Sequence, residues 1–291
     1  MTGSIDLHIH TTASDGSDTP AELARRVAAA GLRLFSVTDH DTVDGALAME
    51  ALVPEGVRYI RGVEFSCADP AGKCHILGYG YDPDHPAFRG ALEEGRRLRL
   101  RKMRLRVEAL ERDFGVVLTD AEREWLWSQN SPGKPHLGRI LLNRGLADSL
   151  DGAIRHYLKN VPGRDRIDAK TAVEAIRASG GTPVWAHPLG GEGEMRLSHE
   201  KFERLLESLT AWGIRGLECH YSRYTAEEAE FLVSRARERG LLITGGSDYH
   251  GINKQGIELG CLCTDGVNWT IDTDALFGII LQNKGPADGS V

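Results

Sequence analysis

The stretch SIDLHIHTTASDGSDTP, residues 4–20, places two histidines one residue apart at the end of an apolar run and follows them with Asp15. On a β-strand, the side chains of residues i and i+2 leave the same face. His8 and His10 would therefore point one way, while Leu7 and Ile9 point the other. We predict a strand with one face for packing and the other for chemistry.

A strand followed by a helix is a pattern that recurs along the chain. After the opening strand, Thr19, Pro20 and Glu22 form a helix start with an N-cap and a capping-box glutamate, and Gly31 is a helix stop. The other strands are predicted in RLFSVTDHD at 33–41, residues 57–64, KCHILGYGY at 73–81, VWAHP at 184–188, IRGLECHY at 214–221 and LLITGGSDYHG at 241–251. This alternation indicates an α/β fold of parallel βα units, closed or nearly closed into a barrel of about seven or eight strands. In such barrels the working residues sit at the carboxyl ends of the strands.

The alternation breaks between residues 90 and 165, where Leu100, Met103, Val107 and Leu110 recur at helical spacing. We predict a helical insert over 90–165 that covers the barrel mouth, with the barrel domain formed by 1–89 and 166–291. The run RRLRLRKMRLR, residues 96–106, has seven basic positions in eleven, but leucines interleave with them and glutamates flank them. This pattern favours an exposed helix face over a track for a polyanion.

Charge and composition exclude several classes of protein. The formal net charge of −7 argues against a stable nucleic-acid complex, although a small anionic substrate at a local cluster is compatible with it. No run approaches the roughly 20 apolar residues that span a bilayer, and the N-terminus shows no signal segment, so we predict a cytoplasmic protein with no membrane contact. The five cysteines have no paired framework and are expected to be reduced.

The polar residues at the predicted strand ends form a set of six histidines and three carboxylates. They are His8, His10, Asp15, His40, Glu64, His75, His187, Asp248 and His250. Three carboxylates brought together would force some to hold protons, whereas divalent cations remove that conflict. Mixed nitrogen and oxygen donors without thiolate suit Mn²⁺, Fe²⁺ or catalytic Zn²⁺. Ions of this kind make hydroxide at neutral pH and clamp phosphoryl oxygens, so the residues indicate a phosphoesterase.

Five segments, DLHIHTTASDG, VTDHD, GVEFS, AHP and GGSDYHG, resemble the successive motifs of the polymerase and histidinol phosphatase (PHP) superfamily, in its stand-alone branch of metal-dependent phosphoesterases. The resemblance implies a distorted seven-stranded (β/α)7 barrel and a centre of three divalent ions, with Mn²⁺ favoured. It also implies which residues hold each ion: His8, His10, Glu64 and Asp248 the first, Glu64, His75 and His187 the second, and Asp15, His40 and His250 the third. Glu64 and Asp248 would be catalytic through the ions that they hold.

The branch resembles nucleoside 3′,5′-bisphosphate phosphatases, which implies release of the 3′-phosphate by direct attack of a hydroxide, with a small nucleotide as the partner. Three other functions stay open: a 5′-to-3′ exonuclease on short oligonucleotides, a histidinol-phosphate phosphatase, or an amidohydrolase that cuts C–N or C–O bonds. A further alternative is a binding module without activity. The complete donor set argues against that alternative, and no obvious lysine is placed to bridge two metals as in an amidohydrolase.

Residues outside the donor set are candidates for contact with the substrate. Lys134, His136, Arg139 and Arg164 lie near glycine or proline turns of the insert and could aim cations at the barrel, so they are predicted to bind the substrate. The resemblance to the PHP branch implies that Lys134 and Arg164 contact the substrate's other phosphate. His220 is either the proton donor to the departing oxygen or a structural residue beside its strand.

Overall fold

The computed structural model describes residues 2–158, 165–191, 195–263 and 271–282. Its strands are β1 (Thr2–Gly3), β2 (Ile5–Ile9), β3 (Leu34–Val37), β4 (Arg58–Asp69), β5 (Gly72–Tyr79), β6 (Ile167–Asp168), β7 (Thr182–Ala186), β8 (Gly216–Tyr221), β9 (Leu242–Gly246) and β10 (Ile271–Asp272). Seven of them form one curved sheet in the order β2-β3-β4-β5-β7-β8-β9, with β6 beside β4. A bridge from Ile9 to Tyr249 brings the end of β9 back to β2. The predicted α/β barrel of seven strands, nearly closed, is confirmed.

One strand departs from the parallel βα units that the alternation of strands and helices indicates. β5 runs antiparallel to both of its neighbours, β4 and β7, whereas the other neighbouring pairs of the barrel are parallel. The physical reason is the connection: only Pro70 and Ala71 separate β4 from β5, and a link this short can join only antiparallel strands. The amino-terminal half of β5 therefore lies at the barrel end where the parallel strands finish.

The helices follow most strands, and the first of them carries the predicted starting signal. They are α1 (Pro20–Ala29), α2 (Asp44–Glu50), α3 (Pro86–Phe114), α4 (Asp120–Ser128), α5 (Lys134–Asn143), α6 (Leu150–Tyr157), α7 (Ala169–Ala178), α8 (His199–Trp212), α9 (Ala226–Glu238) and α10 (Thr273–Gln282). At α1 the Thr19 side chain accepts from the Glu22 amide, and Glu22 accepts from the Thr19 amide at 2.8 Å. Both halves of the predicted capping box are present.

Apolar side chains bury the barrel against its helices. One core cluster joins Val63 and Trp185 of the sheet to Val173 of α7 and Phe202 of α8, and a separate cluster joins Met103 to Leu126 and Leu137 of α3–α5. The second cluster gives 86–158 an apolar core of its own, and in this segment the structure assigns helices but no strand. The division into a barrel domain and an insert at 90 and 165 stays a prediction.

The five cysteines are free thiols, and four of them are buried. Among the described residues, no helix is long and apolar enough to span a bilayer.

Candidate metal centre

The structure brings all nine predicted donors together at one end of the barrel. Four groups have donor atoms within 4.8 Å of one another: His10, Asp15, His40 and His250; His8, His10 and Asp248; His8, Glu64 and His187; and His40, Glu64 and His75. Every predicted donor belongs to at least one group. We call these nine residues the donor cluster. His75 reaches it from the middle of β5, opposite Ser66 of β4, because β5 is reversed.

Glu64 lies at the centre of the donor cluster. Its Oε2 is 3.3 Å from the Nε2 atoms of both His8 and His10 and 2.8 Å from His40 Nδ1. Its Oε1 is 2.6 Å from His75 Nδ1 and 3.2 Å from His187 Nε2. One carboxylate therefore faces five imidazoles, which is the position of a bridging ligand.

Several donor atoms are buried without a hydrogen bond, although their neighbours are close. These atoms are His8 Nε2, His10 Nε2, Asp15 Oδ1, His40 Nδ1 and Glu64 Oε2. A buried polar atom without a partner costs free energy, and such atoms call for an explanation such as a bound ion. Lone pairs that converge from nitrogen and oxygen donors fit divalent cations of the Mn²⁺, Fe²⁺ or Zn²⁺ type.

The electrostatics keep the carboxylates ionised. Burial by itself raises the pKa of Glu64, but attraction to His40, His75 and His8 outweighs it and holds the pKa well below its usual range. Burial lowers the pKa of His40 to about 3, whereas at His10 burial is outweighed by the hydrogen bonds to Asp248 and Glu64, which raise the pKa to about 9. A bound cation would replace the proton of such an imidazole. An ionised carboxylate and a neutral imidazole are the protonation states that bind metal ions.

Buried partners behind the donors orient them, and the sequence did not single these partners out. Glu218 of β8 accepts from His8 Nδ1 at 2.9 Å and from the His187 amide at 2.7 Å. This contact keeps the proton on His8 Nδ1 and leaves Nε2 facing Glu64. Tyr221 donates to Asp248 Oδ2 at 2.9 Å, and Lys254 Nζ lies 2.5 Å from the same oxygen. The available signal for Glu218 was a carboxylate within a predicted barrel strand.

The backbone is strained at the same end of the barrel. Among the described residues, the non-glycine positions with positive φ are Asp41, His187 and Asp248, at 52°, 29° and 58°. Two of the three are donors, and Asp41 follows the donor His40 directly. L-residues rarely adopt this conformation, and such strain persists where the surrounding structure fixes a functional geometry.

The structure does not place His220 in the donor cluster. A Cβ added to Gly246 would meet His8 and Glu218, whereas one added to Gly245 would meet the His220 Cβ at 2.9 Å and Leu262. His220 therefore lies on the opposite side of the sheet from the donors. A register shift between Glu218 and His220 changes the alternation of β8 and turns Tyr221 toward Asp248 instead. The structural alternative for His220 fits this position, and the proton-donor role does not.

The described residues of the insert that are predicted to contact the substrate lie beside the donor cluster, and they contact other residues of the protein. His136 Nδ1 accepts from the Gly133 amide at 2.9 Å, and Arg139 donates to Asn253 at 2.5 Å. Both line a cavity of about 250 Å³ with Trp125. Lys134 begins α5 directly after Gly133, where an added Cβ would lie 2.5 Å from Asp15 Oδ2. Arg164 lies outside the described residues.

The basic run of α3 departs from the predicted exposed face. Arg96, Arg97, Arg101 and Arg104 are exposed, but Arg106 is buried and Arg99 and Lys102 are partly buried. Arg99 Nη2 lies 3.3 Å from Asp15 Oδ2, and its Nη1 lies 3.2 Å from Asp41 Oδ2. The sequence showed seven basic positions but could not show which of them turn toward the barrel.

Comparisons with known proteins agree with this geometry. The model of the PHP domain matches residues 6–85, which hold six of the nine donors. A 3′,5′-nucleoside bisphosphate phosphatase of Chromobacterium violaceum is 30% identical over 263 residues, which are 88% of this chain and 90% of the relative. The chain belongs to the PHP family of metal-dependent phosphoesterases.

Other PHP relatives differ in what their names say they act on. A 5′-3′ exoribonuclease of Haemophilus influenzae is 30% identical over 86% of this chain and 91% of its own length. A solved structure from Bifidobacterium adolescentis, described as a metal-dependent phosphoesterase, superposes with a TM-score of 0.79 at 26% identity and covers 98% of both chains. The family and the phosphoester chemistry are therefore shared, whereas the substrate varies.

Proposed function

We propose that this PHP protein is a phosphatase that removes the 3′-phosphate of nucleoside 3′,5′-bisphosphates. The observation that carries the hydrolytic part is the donor cluster, which holds five buried donor atoms without hydrogen bonds, one of them Oε2 of the central Glu64. The substrate part is supported by the Chromobacterium violaceum relative, whose match extends over 88% of the chain and so includes the insert.

The nine donors would hold divalent ions, which we propose to be three in number and Mn²⁺ by preference. The four donor groups share His8, His10, His40 and Glu64, so neighbouring ions would have ligands in common. Ions in this position would polarise phosphoryl oxygens and lower the pKa of a bound water. The structure groups His10 with Asp15, His40 and His250, so the third ion would have four donors where three were expected.

The chain's own residues hold this arrangement rigid for hydrolysis. Glu218 fixes the ring orientation of His8, and His250 Nδ1 donates to the Asp248 carbonyl at 2.8 Å, which turns His250 Nε2 toward Asp15. Tyr221 and Lys254 hold the outer oxygen of Asp248. A donor set that is positioned before substrate arrives lowers the reorganisation needed in the transition state.

A phosphate-release screen tests the substrate. The Mn²⁺-supplemented protein is assayed on nucleoside 2′,5′- and 3′,5′-bisphosphates, nucleoside monophosphates, histidinol phosphate and a lactone or amide panel. We expect the 3′,5′-bisphosphate to exceed each monophosphate at least about tenfold in kcat/KM, since a second bound phosphate adds a charge-assisted interaction. Equal rates on monophosphates would contradict the substrate assignment, and turnover of amides alone would contradict the phosphoesterase mechanism.

A single-turnover reaction in ¹⁸O-labelled water tests how the bond is cut. Water that attacks phosphorus would cut the P–O bond, so we expect one labelled oxygen in the released phosphate after a single turnover. Label in the nucleotide product instead of the phosphate would mean that water attacks carbon and cuts the C–O bond.

A second candidate function is 5′-to-3′ removal of nucleotides from short oligonucleotides. The Haemophilus influenzae relative, a 5′-3′ exoribonuclease by name, favours it. Adding a 5′-phosphorylated dinucleotide and tetranucleotide to the same screen separates the two candidates, because a phosphatase releases inorganic phosphate and an exonuclease releases nucleoside monophosphates.

A further inference from the structure

The side of α3 that faces the barrel is basic. Arg99, Lys102 and Arg106 are spaced by three and four residues, so they lie along one face of the helix. Arg106 is 7% exposed. The ion pairs of Arg99 with Asp15 and Asp41 show that this face lies against the barrel mouth. The exposed arginines of the same run occupy the other faces.

A fourth cation reaches this region from another part of the chain. Arg166 directly precedes β6, which pairs with β4, and its Nη1 lies 2.8 Å from His75 Nε2. We call Arg99, Lys102, Arg106 and Arg166 the basic cluster. It adjoins the donor cluster at two points, through Arg99 at Asp15 and through Arg166 at His75.

Apart from Arg99, the cations of the basic cluster have no ion pair with a carboxylate of the described residues. Among the described residues, no carboxylate oxygen lies within 4.0 Å of a charged nitrogen of Lys102 or Arg106, and Arg166 Nε is buried without a hydrogen bond. Burial and the nearby Arg166, Arg106 and Arg99 lower the pKa of Lys102 to about 5, and burial lowers the pKa of Arg106 to about 9. Cations held together out of water cost free energy unless an anion joins them.

Resting on the function proposed above, we infer that Lys102, Arg106 and Arg166 form a phosphate subsite that holds the phosphate which is not hydrolysed. Guanidinium groups bind phosphate oxygens in a bidentate way, and the lysine supplies a point charge when the bound anion raises its pKa. Arg99, tied to Asp15 and Asp41, links this subsite to the donor cluster. The ligand class is a phosphomonoester, such as the 5′-phosphate of a nucleotide whose 3′-phosphate lies on the donor cluster.

The test compares Lys102→Met with wild type on adenosine 3′,5′-bisphosphate and adenosine 3′-monophosphate, both with the manganese-loaded protein. Loss of one charge-assisted contact is expected to lower kcat/KM for the bisphosphate by roughly 10- to 100-fold and to leave the monophosphate within about threefold. Lys102→Arg, which keeps the charge, should retain most of the preference. Arg97→Met is the matched control, since Arg97 is exposed on the same helix and pairs with Glu94.

A binding measurement gives a readout that does not depend on turnover. Adenosine 5′-monophosphate carries only the phosphate that the subsite would hold, and its dissociation constant is measured by titration calorimetry. We expect the constant to rise by roughly 10-fold or more in Lys102→Met and to stay unchanged in Arg97→Met. Arg106→Met is an independent variant of the same subsite if Lys102→Met does not fold.

The outcomes separate this inference from the function on which it rests. Equal losses on both substrates, or no loss on either, would overturn the subsite. If the Lys102 and Arg106 variants hydrolyse the bisphosphate at the wild-type rate, the function stands and the subsite is wrong. Lys102-dependent binding of adenosine 5′-monophosphate by a protein that does not hydrolyse the bisphosphate would support the subsite and refute the function.

Discussion

The donor cluster and the basic cluster adjoin each other, and each is incomplete in the opposite sense. The donor cluster gathers lone pairs of His8, His10 and Glu64 that have no hydrogen-bond partner, so it calls for cations. The basic cluster gathers Lys102 and Arg106, which have no carboxylate of the described part of the chain within 4.0 Å, so it calls for an anion. Divalent ions in the first and a phosphate in the second would complete both, and a bisphosphate substrate could satisfy the two together.

The largest effect is expected at the centre of the donor cluster. Glu64→Gln keeps the shape of the side chain but removes the charge that faces five histidines, so bound metal should fall and kcat/KM should drop by about 10³-fold or more. Elemental analysis and phosphate-release kinetics measure both quantities. Glu94→Gln, an exposed position of α3, is the control. Activity within tenfold of wild type would refute a bridging role for Glu64.

A smaller effect is expected one contact behind the donors. Glu218→Gln removes the negative charge and leaves one accepting oxygen where two accept from His8 Nδ1 and the His187 amide, and changes of this kind lower metal affinity or activity by roughly 10- to 100-fold. Competition with a metal-sensitive dye gives the affinity. If Glu218 only packs the barrel, the variant will lose thermal stability while its metal affinity stays at the wild-type value.

The environment of Lys102 in the basic cluster should make the free energy of unfolding depend on pH. The pKa of Lys102 is about 5 in the folded chain and about 10.5 when it is unfolded, so between these values the unfolded chain binds more protons. The free energy of unfolding therefore rises with pH across this window, by up to about 1.4 kcal/mol per pH unit for one proton.

Lys102→Met should remove that contribution. Chemical denaturation of wild type and variant at pH 6, 7, 8 and 9 gives the two slopes, and the variant's slope should be the lower. We also expect the variant to be at least as stable at pH 7, because folding no longer has to deprotonate a lysine that is charged in the unfolded chain. Identical slopes, with Arg97→Met as the reference, would show that Lys102 is not held in an unfavourable environment.

The smallest effect belongs to neither cluster. Thr19→Ala removes the capping box of α1 and should lower the free energy of unfolding by about 1 kcal/mol while kcat/KM stays unchanged. Thermal denaturation and the bisphosphate assay measure the two quantities. This variant calibrates how far a loss of stability alone affects turnover, so a large fall in its activity would weaken the interpretation of the cluster variants.

The sequence alone determined the alternation of strands and helices, the capping box of α1 and the nine residues of the donor cluster. This was possible because strand alternation puts His8 and His10 on one face, and parallel strands bring their carboxyl ends to one edge. His75 and His187 depended chiefly on the resemblance to the PHP motifs, because strand-end placement gave them little weight, and the strand of His75 is antiparallel.

Only the tertiary structure decided which residues surround the donors. A helix with seven basic positions in eleven presents several faces, and docking against the barrel selected Arg99, Lys102 and Arg106. A register shift in β8 turned His220 away and brought Tyr221 to Asp248. Periodicity fixes which side chains share a face of one element, but packing between distant elements determines what that face meets.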